Sequence, residues 1–114
     1  MKIAINTCFG GFNLSNKAFE KLLEIKGIEY IKIADDDGIG YTEYVKKVDP
    51  NYYLSDYEFS RSDEDLIRVI EEFGEEANGN FSELKIVEIP DDIKFTIEDY
   101  DGIEHIAEVH RTWF

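Results

Sequence analysis

Residues 84–114 constrain the fold more than any other part of the chain. Leu84-Lys85-Ile86-Val87-Glu88-Ile89 reads as a strand that stops at Pro90-Asp91-Asp92. Beyond it the chain folds back on itself if Tyr100-Asp101-Gly102 is a three-residue loop with Gly102 in the left-handed position. Ile97 then faces His105, Phe95 faces Ala107, Ile93 faces Val109 and Asp91 faces Arg111, which makes one face of a C-terminal β-hairpin apolar. The other face pairs Lys94 with Glu108, favourable by a few tenths of a kcal/mol, against an unfavourable Glu98 beside Glu104. The same residues also fit a short terminal helix, with Asp101 and Glu104 as a capping box and Ile103, Ile106, Ala107 and His110 as its stripe. The hairpin is the preferred reading. Its far end carries His110-Arg111-Thr112-Trp113-Phe114, where Trp113 and Phe114 lie beyond the ladder and are free to pack on a neighbouring copy.

Earlier in the chain, residues 2–7 read as a first strand, with Ile3 and Ile5 on one face and Ala4 and Asn6 on the other. Cys8-Phe9-Gly10-Gly11-Phe12 breaks it. Ser15 is a good N-cap for a helix carrying Ala18, Phe19, Leu22, Leu23 and Ile25, which Gly27 closes, and residues 28–33 follow as a strand. Asp35-Asp36-Asp37-Gly38 is a turn by composition, and residues 41–48 fit either a short helix or a strand. Tyr52, Tyr53, Tyr57 and Phe59 are too many rings for a solvated linker, so residues 49–59 are expected to form an ordered loop packed on the domain or on another subunit. Ser62 and Asp65 make a capping box for a second helix with the stripe Leu66, Ile67, Ile70, Phe73, Gly74 and Ala77, ended by Asn78-Gly79-Asn80. The expected product is one α+β domain over residues 1–114. It has a small mixed or antiparallel sheet of about four to five strands, two helices on one face and the terminal hairpin.

Charge and cysteine content narrow the function classes. With 26 acidic and 12 basic side chains the formal charge is −14, which repels DNA and anionic membranes at long range. A bound phosphate must therefore be held locally. One cysteine, Cys8, excludes an intramolecular disulfide framework, and no zinc-type Cys/His spacing is present. Nothing approaches the length of a membrane span, and Met1-Lys2 leads directly into a short apolar strand without a cleavage site, which places the expected chain in the cytoplasm.

Candidate chemistry is sparse. The three aspartates 35 to 37 lack the alternating oxygen ligands and closing glutamate of a calcium loop, and Glu71, Glu72, Glu75 and Glu76 lie opposite an apolar stripe, as a solvated helix face does. No nucleophile motif, phosphate-loop lysine or dinucleotide fingerprint occurs, so no enzyme, metal or cofactor is expected. Gly10-Gly11 after a strand is a weak echo of a phosphate loop whose plain alternative is a tight turn. Only Arg61, Arg68 and Arg111 supply guanidinium groups, the side chains best shaped for phosphate. On the residues alone Arg111 is as well explained by a cross-strand pair with Asp91, and Arg61 by a surface ion pair.

The stretches 5–15, 76–79, 84–92 and 110–113, from Ile5-Asn6-Thr7-Cys8-Phe9-Gly10-Gly11 to His110-Arg111-Thr112-Trp113, resemble a family of small phage and prophage proteins, and within it the Thoeris anti-defence sponges. The resemblance covers nearly the whole chain except residues 35–60. It implies a hexamer, a trimer of dimers, that sequesters cyclic ADP-ribose isomers made by bacterial TIR enzymes, and as a second class cyclic oligonucleotides, without cleaving them. In such a role Phe9 or Phe81 would stack on the base, the Gly10 and Gly11 amides with Arg61 and Arg111 would hold phosphate, and Asp91 and Thr112 would complete the site. The strong negative charge suits a different class better: an acidic phage protein that inhibits a host enzyme or mimics nucleic acid.

Overall fold

The computed structural model describes residues 1–34 and 42–109; the acidic run Asp35, Asp36 and Asp37 and the terminal residues His110, Arg111, Thr112, Trp113 and Phe114 lie outside them. The elements in order are β1 (Lys2–Asn6), α1 (Asn16–Ile25), β2 (Tyr30–Ala34), β3 (Thr42–Lys46), β4 (Tyr53–Leu54), α2 (Glu64–Phe73), β5 (Leu84–Glu88), β6 (Phe95–Tyr100) and β7 (Ile103–Glu108). Short 3-10 turns occupy Asp56–Glu58 and Gly74–Ala77. The α+β class, the two helices and the terminal hairpin are as the sequence predicts. Among the described residues the strands number seven and divide into three antiparallel sheets, β1-β5, β2-β3-β4 and β6-β7, where about four or five in one sheet were expected.

The two helices pack on each other and define the core. Ser15 caps α1 by accepting a hydrogen bond from the Ala18 amide at 3.2 Å, and the helix closes through bonds from Gly27 N to Glu24 O and from Ile28 N to Leu23 O. That paired closure needs a left-handed residue after the cap, and Gly27 supplies it with φ of 70°. Ala18, Phe19, Leu22 and Leu23 thereby face Leu66, Ile67, Val69 and Ile70 of α2 in one buried cluster. Each of the larger side chains among them contributes roughly 1.5–3 kcal/mol over leaving it in water. Lys26, at the C-terminal end of α1, reaches Asp63 at 2.6 Å and Asp65 at 3.2 Å at the start of α2, which matches cation and anion to the opposite helix ends. The N-cap of α2 is Asp63, whose Oδ1 accepts from the Asp65 and Leu66 amides, and not Ser62 as the capping-box reading has it. A carboxylate accepts more strongly than a hydroxyl and sits in the positive field of the helix start. The same helix stops at Phe73, and Ala77 is buried by the 3-10 turn that follows.

Against this core lie the strands. Ile3, Ala4, Ile5 and Asn6 of β1 are all buried, so both faces of that strand are covered, and β5 pairs with it through Ala4 opposite Ile86. Of the residues 41–48 left open between helix and strand, Thr42–Lys46 form the strand β3, whose Tyr44 stands edge-on to both Phe19 at 5.1 Å and Tyr30 at 5.5 Å.

The hairpin register differs by one residue from the expected one. Asp101 and Gly102 both have positive φ, 51° and 90°, so the turn has two residues and Tyr100 pairs with Ile103, Glu98 with His105 and Ile97 with Ile106. Two successive left-handed residues twist in the sense of the strands they join, which is why Asp-Gly favours this turn over the longer one. Because side chains alternate, the shift turns every residue of β7 to the other face. Glu104 comes inward, 7% exposed, and His105 comes out beside Glu98, with Nε2 to Oε2 at 2.9 Å. Asp91, expected opposite Arg111, accepts from the Met1 ammonium.

Candidate functional site

Two polar regions flank the loop that follows β1. The first is closed. Glu104 from β7 receives both arms of the Arg61 guanidinium, Nη1 to Oε1 at 2.7 Å and Nη2 to Oε2 at 2.9 Å, and its Oε1 also accepts the Asn6 amide at 2.8 Å. Arg61 Nη1 also donates to the Ala4 carbonyl at 3.2 Å, and the guanidinium lies 3.7 Å above the Phe12 ring. Asn6 completes the junction: its side chain donates to the Cys8 and Gly102 carbonyls and accepts from the Cys8 and Glu83 amides. A buried ion pair is tolerated when hydrogen bonds satisfy its lone pairs and protons, and here the Glu104 carboxylate accepts three. The junction ties the hairpin to the core.

The second region is an open cleft of about 820 Å³ between the 10–14 loop, the ends of β3 and β4, the Asp56–Glu58 turn and the loop carrying Phe81. That volume suits a nucleotide-sized ligand. Its rim is aromatic. Phe81 is 81% exposed and has φ of 61°, a backbone state that costs a side-chain-bearing residue about 1–2 kcal/mol. The neighbouring turn enforces it: the Gly79 amide and the Ser82 hydroxyl both donate to the Asn13 carbonyl, at 2.9 and 2.7 Å. Tyr53 and Tyr57 are exposed beside it.

The floor of the cleft is polar and not fully satisfied. Burial pushes the Asp56 carboxyl up to about 6, while the Leu14 amide at 3.2 Å and the Arg61 charge offset this only in part. Tyr44 is 4% exposed, and its hydroxyl, without a close hydrogen bond among the described residues, lies against the Glu20 carboxylate of α1. Burial, and after it the Glu20 carboxylate, raise that hydroxyl well above the ordinary tyrosine range. Among the described lining residues the charged ones are Glu43 and Asp56, with no lysine or arginine. A shallower groove of about 660 Å³ between β1 and α2 holds Lys2, Arg68, Glu71 and Glu72. Its charges already neutralise one another, Lys2 to Glu71 at 3.0 Å and Arg68 to Glu72 at 3.2 Å.

Of the residues the sequence nominates for binding, Gly10 and Phe81 line the cleft together: a Cβ added to Gly10 would stand 2.7 Å from the Phe81 Cβ. Gly11 approaches the Tyr57 hydroxyl, and Phe9 is exposed on the same loop. The Gly10 and Gly11 nitrogens are in contact with the hairpin turn, where a Cβ on Gly102 would come within 2.7 and 2.5 Å of them. Arg61 is engaged by Glu104, Asp91 is with Met1 away from the cleft lining, and Arg111 and Thr112 lie outside the described residues. Tyr44 and Asp56 were not singled out from the sequence. For Asp56 the signal was the crowding of rings at 52–59, which marks an ordered loop but not what it encloses, and Tyr44 lies outside that stretch. Among the described residues no group of acidic, histidine or cysteine side chains has the arrangement of a metal site, and no helix is long and apolar enough to cross a membrane. No protein-family model, curated protein or solved structure matches this chain.

Proposed function

We propose that this chain is a phage anti-defence sponge of the Thoeris type, which binds cyclic ADP-ribose-class signals in the aromatic-rimmed cleft and holds them without cleavage in the cytoplasm of an infected bacterium. One observation carries the reading. Phe81 is kept in a costly left-handed conformation with its ring in solvent at the mouth of a nucleotide-sized cleft, and strain of that kind persists where a ligand repays it. An adenine stacked on such a ring gains about 1–3 kcal/mol. Cyclic oligonucleotides present the same stacked bases and form a second ligand class. The reading includes assembly into a hexamer, a trimer of dimers, and the exposed Ile31, Ile33, Val48 and Tyr52 are apolar surface of the sort a subunit contact buries.

Calorimetry with a cyclic ADP-ribose isomer, followed by heating and analysis of the released ligand, tests the proposal. Binding with intact ligand recovered is the expected result; altered ligand makes the protein a hydrolase, and absence of binding removes the reading. Light scattering tests assembly, with a mass near one 13.3 kDa chain as the contrary result. A second reading, an acidic inhibitor of a host enzyme, is favoured by the formal charge of −14. It predicts salt-sensitive binding to a basic protein and none to nucleotides.

A further inference from the structure

Among the described residues the sheet β2-β3-β4 ends in an open edge at β2. Backbone groups alternate along a strand, and the ladder shows which of them face out. Lys46 N donates to Tyr52 O, toward β4, whereas Lys47 N donates to Glu29 O, just before β2. Odd-numbered residues of β3 therefore turn their backbone to β2, where Val45 meets Ile31 and Glu43 meets Ile33. The amides and carbonyls of Tyr30 and Lys32 turn off the sheet, and no described group meets them. Such an edge templates a further strand unless charge or proline guards it. The one charged side chain of β2 is Lys32, and its Nζ is drawn to the Glu20 carboxylate of α1 at 3.6 Å. On the other face Ile31, Val45 and Tyr53 form a row across the three strands, with Ile31 42% and Tyr53 60% exposed.

We propose that β2 pairs antiparallel with β2 of a second copy about a two-fold axis at Ile31, joining the two sheets into one. This rests on the assembly part of the reading above and names the contact within its dimer. The register follows from the side chains. With the axis at Ile31, Tyr30 exchanges both backbone bonds with Lys32 of the second copy, and Ile31 meets itself at the closer, non-hydrogen-bonded position. The apolar row then runs unbroken from Tyr53 through Val45 and Ile31 into the same residues of the second copy. Each Lys32 falls opposite a Tyr30 and each Ile33 opposite a Glu29, so no like charges are opposed. With the axis at Lys32 two ammonium groups would face each other, and the row would be broken. Copies of a chain at −14 repel at long range, so they join where the contact itself carries little charge, and β2 holds one charged side chain in five. A two-fold contact also uses the same edge on both sides and leaves none there to recruit a third strand.

The test is disulfide trapping and light scattering on the full chain. In a Cys8→Ser background, Ile31→Cys should oxidise to a covalent species of twice the 13.3 kDa chain mass, because directly opposed side chains at that position come near disulfide range. Val48→Cys, 85% exposed and outside the strand, reports random collision and should link far less. Ile31→Lys sets like charges on the axis and should weaken the dimer about tenfold or more in a dilution series, with the circular dichroism of the parent. Ile33→Lys gains Glu29 as a partner and should keep the dimer. If the parent assembles while Ile31→Cys links no better than Val48→Cys and Ile31→Lys keeps the parent's mass, the β2 contact is overturned and the assembly reading stands. Linking through Lys32→Cys in place of Ile31→Cys overturns the register. A parent that scatters as one chain overturns both the contact and the assembly reading. Should Ile31→Lys fail to fold, the trapping comparison decides the matter alone.

Discussion

The junction around Arg61 and the cleft around Tyr44 are built from similar materials, a carboxylate, a polar side chain and aromatic rings, yet they end in opposite states. In the junction Glu104 meets two guanidinium arms and a backbone amide, and the Asn6 side chain has four partners. In the cleft Asp56 has one described hydrogen bond and the Tyr44 hydroxyl has none. Satisfied polar groups fasten the hairpin to the core. Unsatisfied ones lower the stability of the free chain and leave chemistry to be completed by something else.

Substitutions in the two regions should therefore move stability in opposite directions. The largest effect is expected from Arg61→Met, which leaves Glu104 buried and uncompensated: a loss of about 3–5 kcal/mol in urea denaturation, with much of it recovered on adding Glu104→Met. Were the single variant to lose under 1 kcal/mol, the junction would be a bystander. Gly102→Ala comes next, at roughly 2–3 kcal/mol, because its new Cβ would stand 2.5 Å from the Gly11 nitrogen at a φ of 90°. Nuclear magnetic resonance should show shifts at the Gly10 and Gly11 amides.

In the cleft the signs reverse. The folded Asp56 carboxyl titrates at about 6 against 3.8 in the unfolded chain, so the native state holds the proton more tightly. Its contribution is favourable below about pH 4 and is lost as pH rises through 6. Asp56→Asn should gain on the order of 1–2 kcal/mol at pH 7, shrinking to nothing below pH 4, as thermal melts across that range would read. A gain that does not depend on pH would assign the effect to something other than ionisation. Smallest is Phe81→Gly, which relieves the positive φ for roughly 1 kcal/mol of stability and removes the stacking ring. Equilibrium unfolding should show the gain, and calorimetry the loss of nucleotide.

What was legible in the sequence was what short-range chemistry decides. Ser15 and Gly27 delimit α1 because a cap and a left-handed closure need only their immediate neighbours. The shift from Ser62 to Asp63 shows the limit of the same reasoning, since adjacent capping residues differ by one backbone rotation. The hairpin was recognised but set one residue out, because the expected register kept Ile93 and Phe95 opposite Val109 and Ala107 and left Glu104 on the other face. Its true register buries Glu104, which is favourable only with Arg61, 43 residues away, and no pattern within β7 announces that partner. Phe81 and Gly10 were nominated as binding residues because they are a ring and a glycine in loops. Tyr44 and Asp56 belong to the weakly patterned middle, where β3, β4 and the 3-10 turn form by packing on α1.

Gly10 lies between two other backbones, with Phe81 against its Cα on one side and Gly102 against its nitrogen on the other. A side chain placed in such a gap can change rotamer and take up a displacement, but bare peptide planes in contact have no such give. The hairpin turn, the glycine pair and the aromatic rim therefore meet without an intervening side chain, and a Cβ at Gly10 or Gly102 has no room unless one of its neighbours moves.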